Sequence, residues 1–210
     1  MRGKAILVLV AIMATALVGT TSALAIPCAT APVATYTAAG FSCDVGPVTL
    51  SNISVSTLTS GGGTVTLGNF TPFVSGGEFG LSLNYIANAG VAGAEADVAW
   101  IYNVSSAQLI NDAFLSFAGN TTGTGQTQIS EVLSNGVVLS LNAPGSVTAT
   151  FAPIGSLHAI KDQANHANTG TAGASIMVNA FSVPEPATLL LLGSGLVGMA
   201  LGQRRFFGRK

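Results

Sequence analysis

The chain has 210 residues, 49% hydrophobic and only 7% charged, with a formal net charge of −1. Six of its seven basic residues (Arg2, Lys4, Arg204, Arg205, Arg209 and Lys210) sit at the two ends, which leaves residues 26–182 with Lys161 against seven acids, a charge of −6 (1 − 7). A body so poor in cations has no patch for nucleic acid or an anionic membrane surface, and its solubility rests on Ser, Thr, Asn and Gly.

The first element in chain order is a secretory signal peptide, residues 1–25. Arg2 and Lys4 form a positive n-region, Ala5 to Val18 an uncharged apolar stretch, and Ala23-Leu24-Ala25 a small-x-small cleavage site at Ala23 and Ala25. Pro27 and Ile26 stand before Cys28 where a lipid-attachment motif needs small residues, so a lipoprotein is rejected. Export into an oxidising compartment permits a disulfide between Cys28 and Cys43, the only two cysteines. Closing that loop is worth roughly 3 kcal/mol in the chain-entropy model. Two cysteines make no zinc site without other ligands.

Residues 26–182 read as one passenger domain, long enough for a real core. Period-two alternation recurs in Val48–Ser60, in "TVTLGNFTPFV" and in Phe79–Ala87. The best central strand is "ADVAWIYNV", with Val98, Trp100, Tyr102 and Val104 on one face and Asp97, Ala99, Ile101 and Asn103 on the other. "SSAQLINDAFLSF" allows a short helix and reads mostly as strand. Asn135-Gly136 joins two alternating runs and predicts a two-residue type I′ hairpin. The sum is an all-β fold, an antiparallel β-sandwich of about 8–10 strands. No fixed repeat supports a solenoid.

The tail, residues 183–210, has three parts in order. Pro184-Glu185-Pro186 fixes two φ angles, removes two amide donors and biases Val183 and Glu185 toward extended backbone. Residues 187–203 follow as a transmembrane helix; the sixteen uncharged residues from Ala187 to Gly202 span about 24 Å at ~1.5 Å per residue. Arg204, Arg205, Arg209 and Lys210 form a basic stop-transfer tail, 204–210, held on the cytoplasmic side with the body outside.

Motif, span and arginines together resemble the PEP-CTERM sorting signal. The resemblance covers residues 182 to about 207. It implies recognition of Pro184, Glu185 and Pro186 by exosortase, an integral-membrane cysteine protease that releases or transfers the protein. Such tails also carry the label of an ice-binding-protein C-terminal domain, which describes the tail and not its passenger. The expected route is export, membrane anchoring by one span, processing, then the cell surface or the extracellular space.

Groupings that could carry chemistry each have a plainer reading. His158, Asp162 and His166 lie four apart, as metal ligands on one helix face would, in a stretch too rich in Asn, Thr and Gly for a helix. Lys161 and Asp162 are expected to form a surface pair at a strand end, worth under about 1 kcal/mol. Glu95 and Asp97 share a strand face and are the acid pair a hydrolase would use. Thr-x-Thr pairs at Thr57/Thr59, Thr64/Thr66 and Thr148/Thr150 are too unevenly spaced for a regular ice-facing array. No cofactor or metal is expected, and no enzymatic activity. The reading is a structural or interaction protein of the bacterial surface or extracellular matrix, associated with exopolysaccharide or biofilm. The alternatives are a carbohydrate-binding module using an exposed Trp100 and tyrosines, an ice binder, and a secreted hydrolase.

Overall fold

The structure is a computed structural model and describes residues 26–183. The signal peptide with Ala23 and Ala25, the tripeptide Pro184–Pro186, the span 187–203 and the basic tail with Arg204, Arg205, Arg209 and Lys210 lie outside the described residues. Among the described residues, no helix is long and apolar enough to cross a membrane.

The described residues form ten strands and one helical turn: β1 (Ala31–Pro32), α1 (Val33–Tyr36), β2 (Ser42–Val45), β3 (Val48–Ser60), β4 (Thr64–Ser75), β5 (Glu78–Ala89), β6 (Glu95–Thr122), β7 (Gln126–Leu133), β8 (Val138–Leu141), β9 (Gly145–His166) and β10 (Thr171–Ser182). Every named strand pairing is antiparallel.

Two strands, β6 and β9, run through both layers of the sandwich. The first half of β6 pairs with β3 on one side and the second half of β9 on the other, and β7 and β8 extend that layer. The second half of β6 pairs with β10 and the first half of β9, and β5, β4 and β1 complete the facing layer. The corner lies where the β6–β9 register breaks, between Ser105 and Ile110. Leu109 adopts φ 65° there, a conformation that costs a side-chain-bearing residue energy. Pro153, in the next register break between Ile154 and Thr150 of β9, has no amide to donate to the ladder. The stretch read as helix or strand is therefore strand throughout, bent at the corner.

The two inner faces build one core. Val98, Trp100, Tyr102 and Val104 of β6 are buried, as their alternation predicts. Phe70 of β4 reaches across to Trp100 with ring centroids 4.9 Å apart, and Trp100 stacks on Tyr102 at 4.9 Å. Tyr36 of α1 closes one end against Phe70 and donates its hydroxyl to the Ala29 carbonyl. Cys28 and Cys43 are bonded, and backbone hydrogen bonds between Cys28 and Asp44 and between Asp44 and Ile26 lay the N-terminal segment along β2.

The hairpin at Asn135-Gly136 differs from its expected form. Val132 pairs with Val138, the Leu133 and Val137 backbones bond, and Gly136 N donates to Leu133 O. Gly136 has φ +87°, while Asn135 is not at positive φ. That is a three-residue loop, a type I turn closed by a left-handed glycine, in place of the two-residue type I′ turn. Directly paired residues share a face, and this register brings Leu133, Leu139 and Glu131 inward together.

Candidate functional site

The first site is the junction between the domain and the tripeptide. β10 is the last strand and is paired on both sides, to β5 and to β6. Its ladder to β6 ends at Ala180 opposite Phe114. Two residues further, the Asp112 side chain replaces the ladder: Ser182 N donates to Asp112 Oδ1 at 2.8 Å, and the Ser182 hydroxyl bonds to Asp112 Oδ2 and to Asn111 Oδ1. The strand is thus fastened at its final residue, and Val183 alone separates it from Pro184. Close approach of the neighbouring strand needs Gly80, where a Cβ would lie 2.0 Å from the Asn179 carbonyl oxygen.

On the β5 side Ser182 is paired with Glu78. Oε2 of Glu78 is buried without a hydrogen-bond partner among the described residues. Burial, reinforced by the charge of Asp112, pushes this carboxyl up to about 7. The folded chain therefore holds the Glu78 proton more tightly than the unfolded chain does. Its stabilising contribution is complete below about pH 4.5 and is lost as pH rises through about 7. Thermal melts should show Glu78→Gln raising the midpoint at pH 8 relative to pH 5, compared with the parent. An unchanged slope between those two pH values would remove Glu78 from the account.

The second grouping corrects the expected Lys161–Asp162 surface pair. Lys161 is 0% exposed and points between the layers, while Asp162 faces outward. Along β9 the inward phase runs Leu157, Ala159, Lys161, Gln163 and Asn165. Lys161 Nζ lies 3.1 Å from Oε1 of Glu131 on β7. It donates to Asn179 Oδ1 on β10 at 2.6 Å and to the Tyr102 hydroxyl at 3.0 Å. Asn179 Nδ2 donates to Glu131 Oε2 at 2.9 Å and to Phe114 O at 2.7 Å. The rings of Trp100 and Tyr102 lie 4.4 and 4.2 Å from Nζ. Burial lowers the Lys161 ammonium to about 8 and raises the Glu131 carboxyl, so both shifts favour the uncharged forms. A neighbouring triad, Thr127, Gln163 and Asn165, satisfies itself: Thr127 Oγ1 donates to Asn165 Oδ1 at 2.7 Å, and Gln163 and Asn165 exchange side-chain bonds.

The remaining sequence candidates are dispersed. His158, Asp162 and His166 share the outer face of β9, with neighbours about 13 Å apart along an extended strand. Among the described residues no group of three His, Cys, Asp or Glu is placed to hold a metal. Glu95 is engaged by His166 at 3.2 Å and by the Ser60 hydroxyl at 3.0 Å. Asp97 lies two residues along the same strand, its carboxyl raised chiefly by burial. Trp100 and all three tyrosines are buried, so they offer no stacking surface to a sugar. The three Thr-x-Thr pairs fall on β3, β4 and β9, in no common row. A groove of about 520 Å³ does open on the outer face of β5, β10 and β6, floored by Gly119 and Gly173 and flanked by Ile86, Asn88, Asn120 and Ser175.

No curated protein matches this chain. Among solved structures, tailspike protein 4 of bacteriophage CBA120 is 18% identical, with 62% of this chain covering 19% of that one at a TM-score of 0.30. A family 11 carbohydrate-binding module from Clostridium thermocellum, in complex with a β-1,3-1,4-mixed-linked tetrasaccharide, is 13% identical over 62% of this chain and 90% of that chain, TM-score 0.25. TmCBM61, in complex with β-1,4-galactotriose, is 9% identical over 57% of this chain and 88% of that chain, TM-score 0.28. Likenesses of this extent carry no argument about what this chain binds. The family model of the PEP-CTERM protein-sorting motif matches residues 182–205, starting at the residue that Asp112 holds. The chain thus carries a PEP-CTERM protein-sorting motif, the signal of an exported protein that is anchored in the membrane before exosortase, itself a membrane protein, processes it.

Proposed function

We propose that the passenger domain is a non-enzymatic protein of the cell surface or extracellular matrix, associated with exopolysaccharide or biofilm. The observation that carries this reading is the junction at Ser182. The matched motif begins where the last core strand ends, so processing at or beyond Pro184-Glu185-Pro186 leaves the sandwich whole. With Lys161 buried, no Lys or Arg side chain of residues 26–183 faces solvent, and the outer faces present hydroxyl, amide and carboxylate groups. Such a surface suits neutral glycans through hydrogen bonds and repels polyanions. A carbohydrate-binding role is the second reading, supported by the groove beside Asn88 and Asn120.

The test is mass spectrometry of the C-terminus of the extracellular form, from cells with and without exosortase, together with fractionation of the matrix. Residues 187–210 are expected to be absent from the extracellular protein when exosortase is present. The domain is then expected to co-fractionate with exopolysaccharide. Persistence of residues 187–210 in the matrix fraction would replace sorting by a permanent anchor.

A further inference from the structure

We propose that Lys161 and Asn179 join through a self-catalysed isopeptide bond between Lys161 Nζ and Asn179 Cγ, with Glu131 as the proton-transferring group. An amine, a carboxamide and a carboxyl group meet inside the sandwich, each from a different strand. Nζ already touches the Asn179 amide oxygen at 2.6 Å, and Glu131 touches both reacting groups, Nζ at 3.1 Å through Oε1 and Nδ2 at 2.9 Å through Oε2. All three side chains are 0% exposed. Trp100 and Tyr102 wall the amine, and no bulk water competes as nucleophile.

The chemistry balances without an oxidant or an outside reactant. The neutral Lys161 amine attacks Cγ and forms the new C–N bond. Glu131 gives its proton to Nδ2 through Oε2 and takes one back from Nζ through Oε1. The Cγ–Nδ2 bond then breaks, and the old amide nitrogen leaves as ammonia. Glu131 ends as it began. The amine must be uncharged to attack and the carboxyl protonated to supply the proton that the leaving nitrogen carries away, and burial moves both groups in those directions. Held geometry and excluded water supply the rest, as for other preorganised intramolecular reactions.

A purely structural ion pair would make the same hydrogen bonds and leave the covalent mass unchanged, so mass decides between them. After reduction of the disulfide, the full chain is expected to weigh less than its unreacted sequence by one ammonia molecule. Trypsin adds an independent readout, because Lys161 is the only Lys or Arg between residues 26 and 182. Acylated lysine is not cut, so the denatured chain should stay joined across Lys161 and yield a peptide linking it to Asn179. Glu131→Gln keeps the shape of the side chain but cannot shuttle the proton. It should fold, as read by circular dichroism, retain the ammonia mass and be cut after Lys161. A parent chain of unreacted mass that trypsin cuts after Lys161 overturns the proposal. A Glu131→Gln chain that is still linked overturns the role given to Glu131.

Discussion

Glu131→Ala is expected to destabilise the domain by about 3–5 kcal/mol, read as a fall in the urea midpoint at unchanged slope. The cost arises on both sides of the deleted carboxyl group. Lys161 would keep its place between two aromatic rings with its carboxyl partner gone, and Asn179 Nδ2 would lose one of its two acceptors. Water cannot repair the loss easily, since all three side chains are wholly buried. Glu131→Gln, which keeps a polar side chain of the same shape, is expected to lose clearly less. Should the alanine variant fall within about 0.5 kcal/mol of the parent, the ordinary range for surface changes, the cluster would have no part in stability.

Trp100→Ala is the second large effect, expected at about 3–5 kcal/mol, or a drop of roughly 6–20 °C in the thermal midpoint for a domain of this size. Trp100 is the largest wholly buried side chain, and it links the two layers through Phe70 on one side and Tyr102 on the other. The void cannot collapse, because its walls are strands of opposite layers tied together at the β6–β9 corner. Its Nε1 has no hydrogen-bond partner among the described residues, so Trp100→Phe removes volume but also an unsatisfied donor. The phenylalanine variant is therefore expected to lose well under half as much. Equal losses for the two variants would show that ring volume is not what the layers need.

The alternation of residues 95–104 was legible because a half-buried strand writes its two faces into the sequence, and Val98 to Val104 fall inside as read. The sorting motif was legible because its determinants are contiguous. The hairpin loop was misread for a physical reason. A two-residue turn would pair Val132 with Leu139, and only the added residue pairs Glu131 with Leu139 on the inner face. Counting Glu131 as a core residue would have demanded that loop, but a glutamate signals the surface unless its partner is known. The same obstacle hid Lys161. Its phase with Leu157 and Ala159 was in the sequence, yet its partners come from β7 and β10, 30 residues before it and 18 after it. The fastening of Ser182 by Asp112 was equally invisible, since it bridges 70 residues.

While the chain is held by its membrane-side end, any pull reaches the folded part through Ser182. β10 lies inside its sheet with a ladder on each flank, so tension along it must shear both ladders at once. An edge strand in the same place would peel one hydrogen bond at a time. The domain is thus fitted to take load at its C-terminus, with the Asp112 carboxylate as the first contact to feel it.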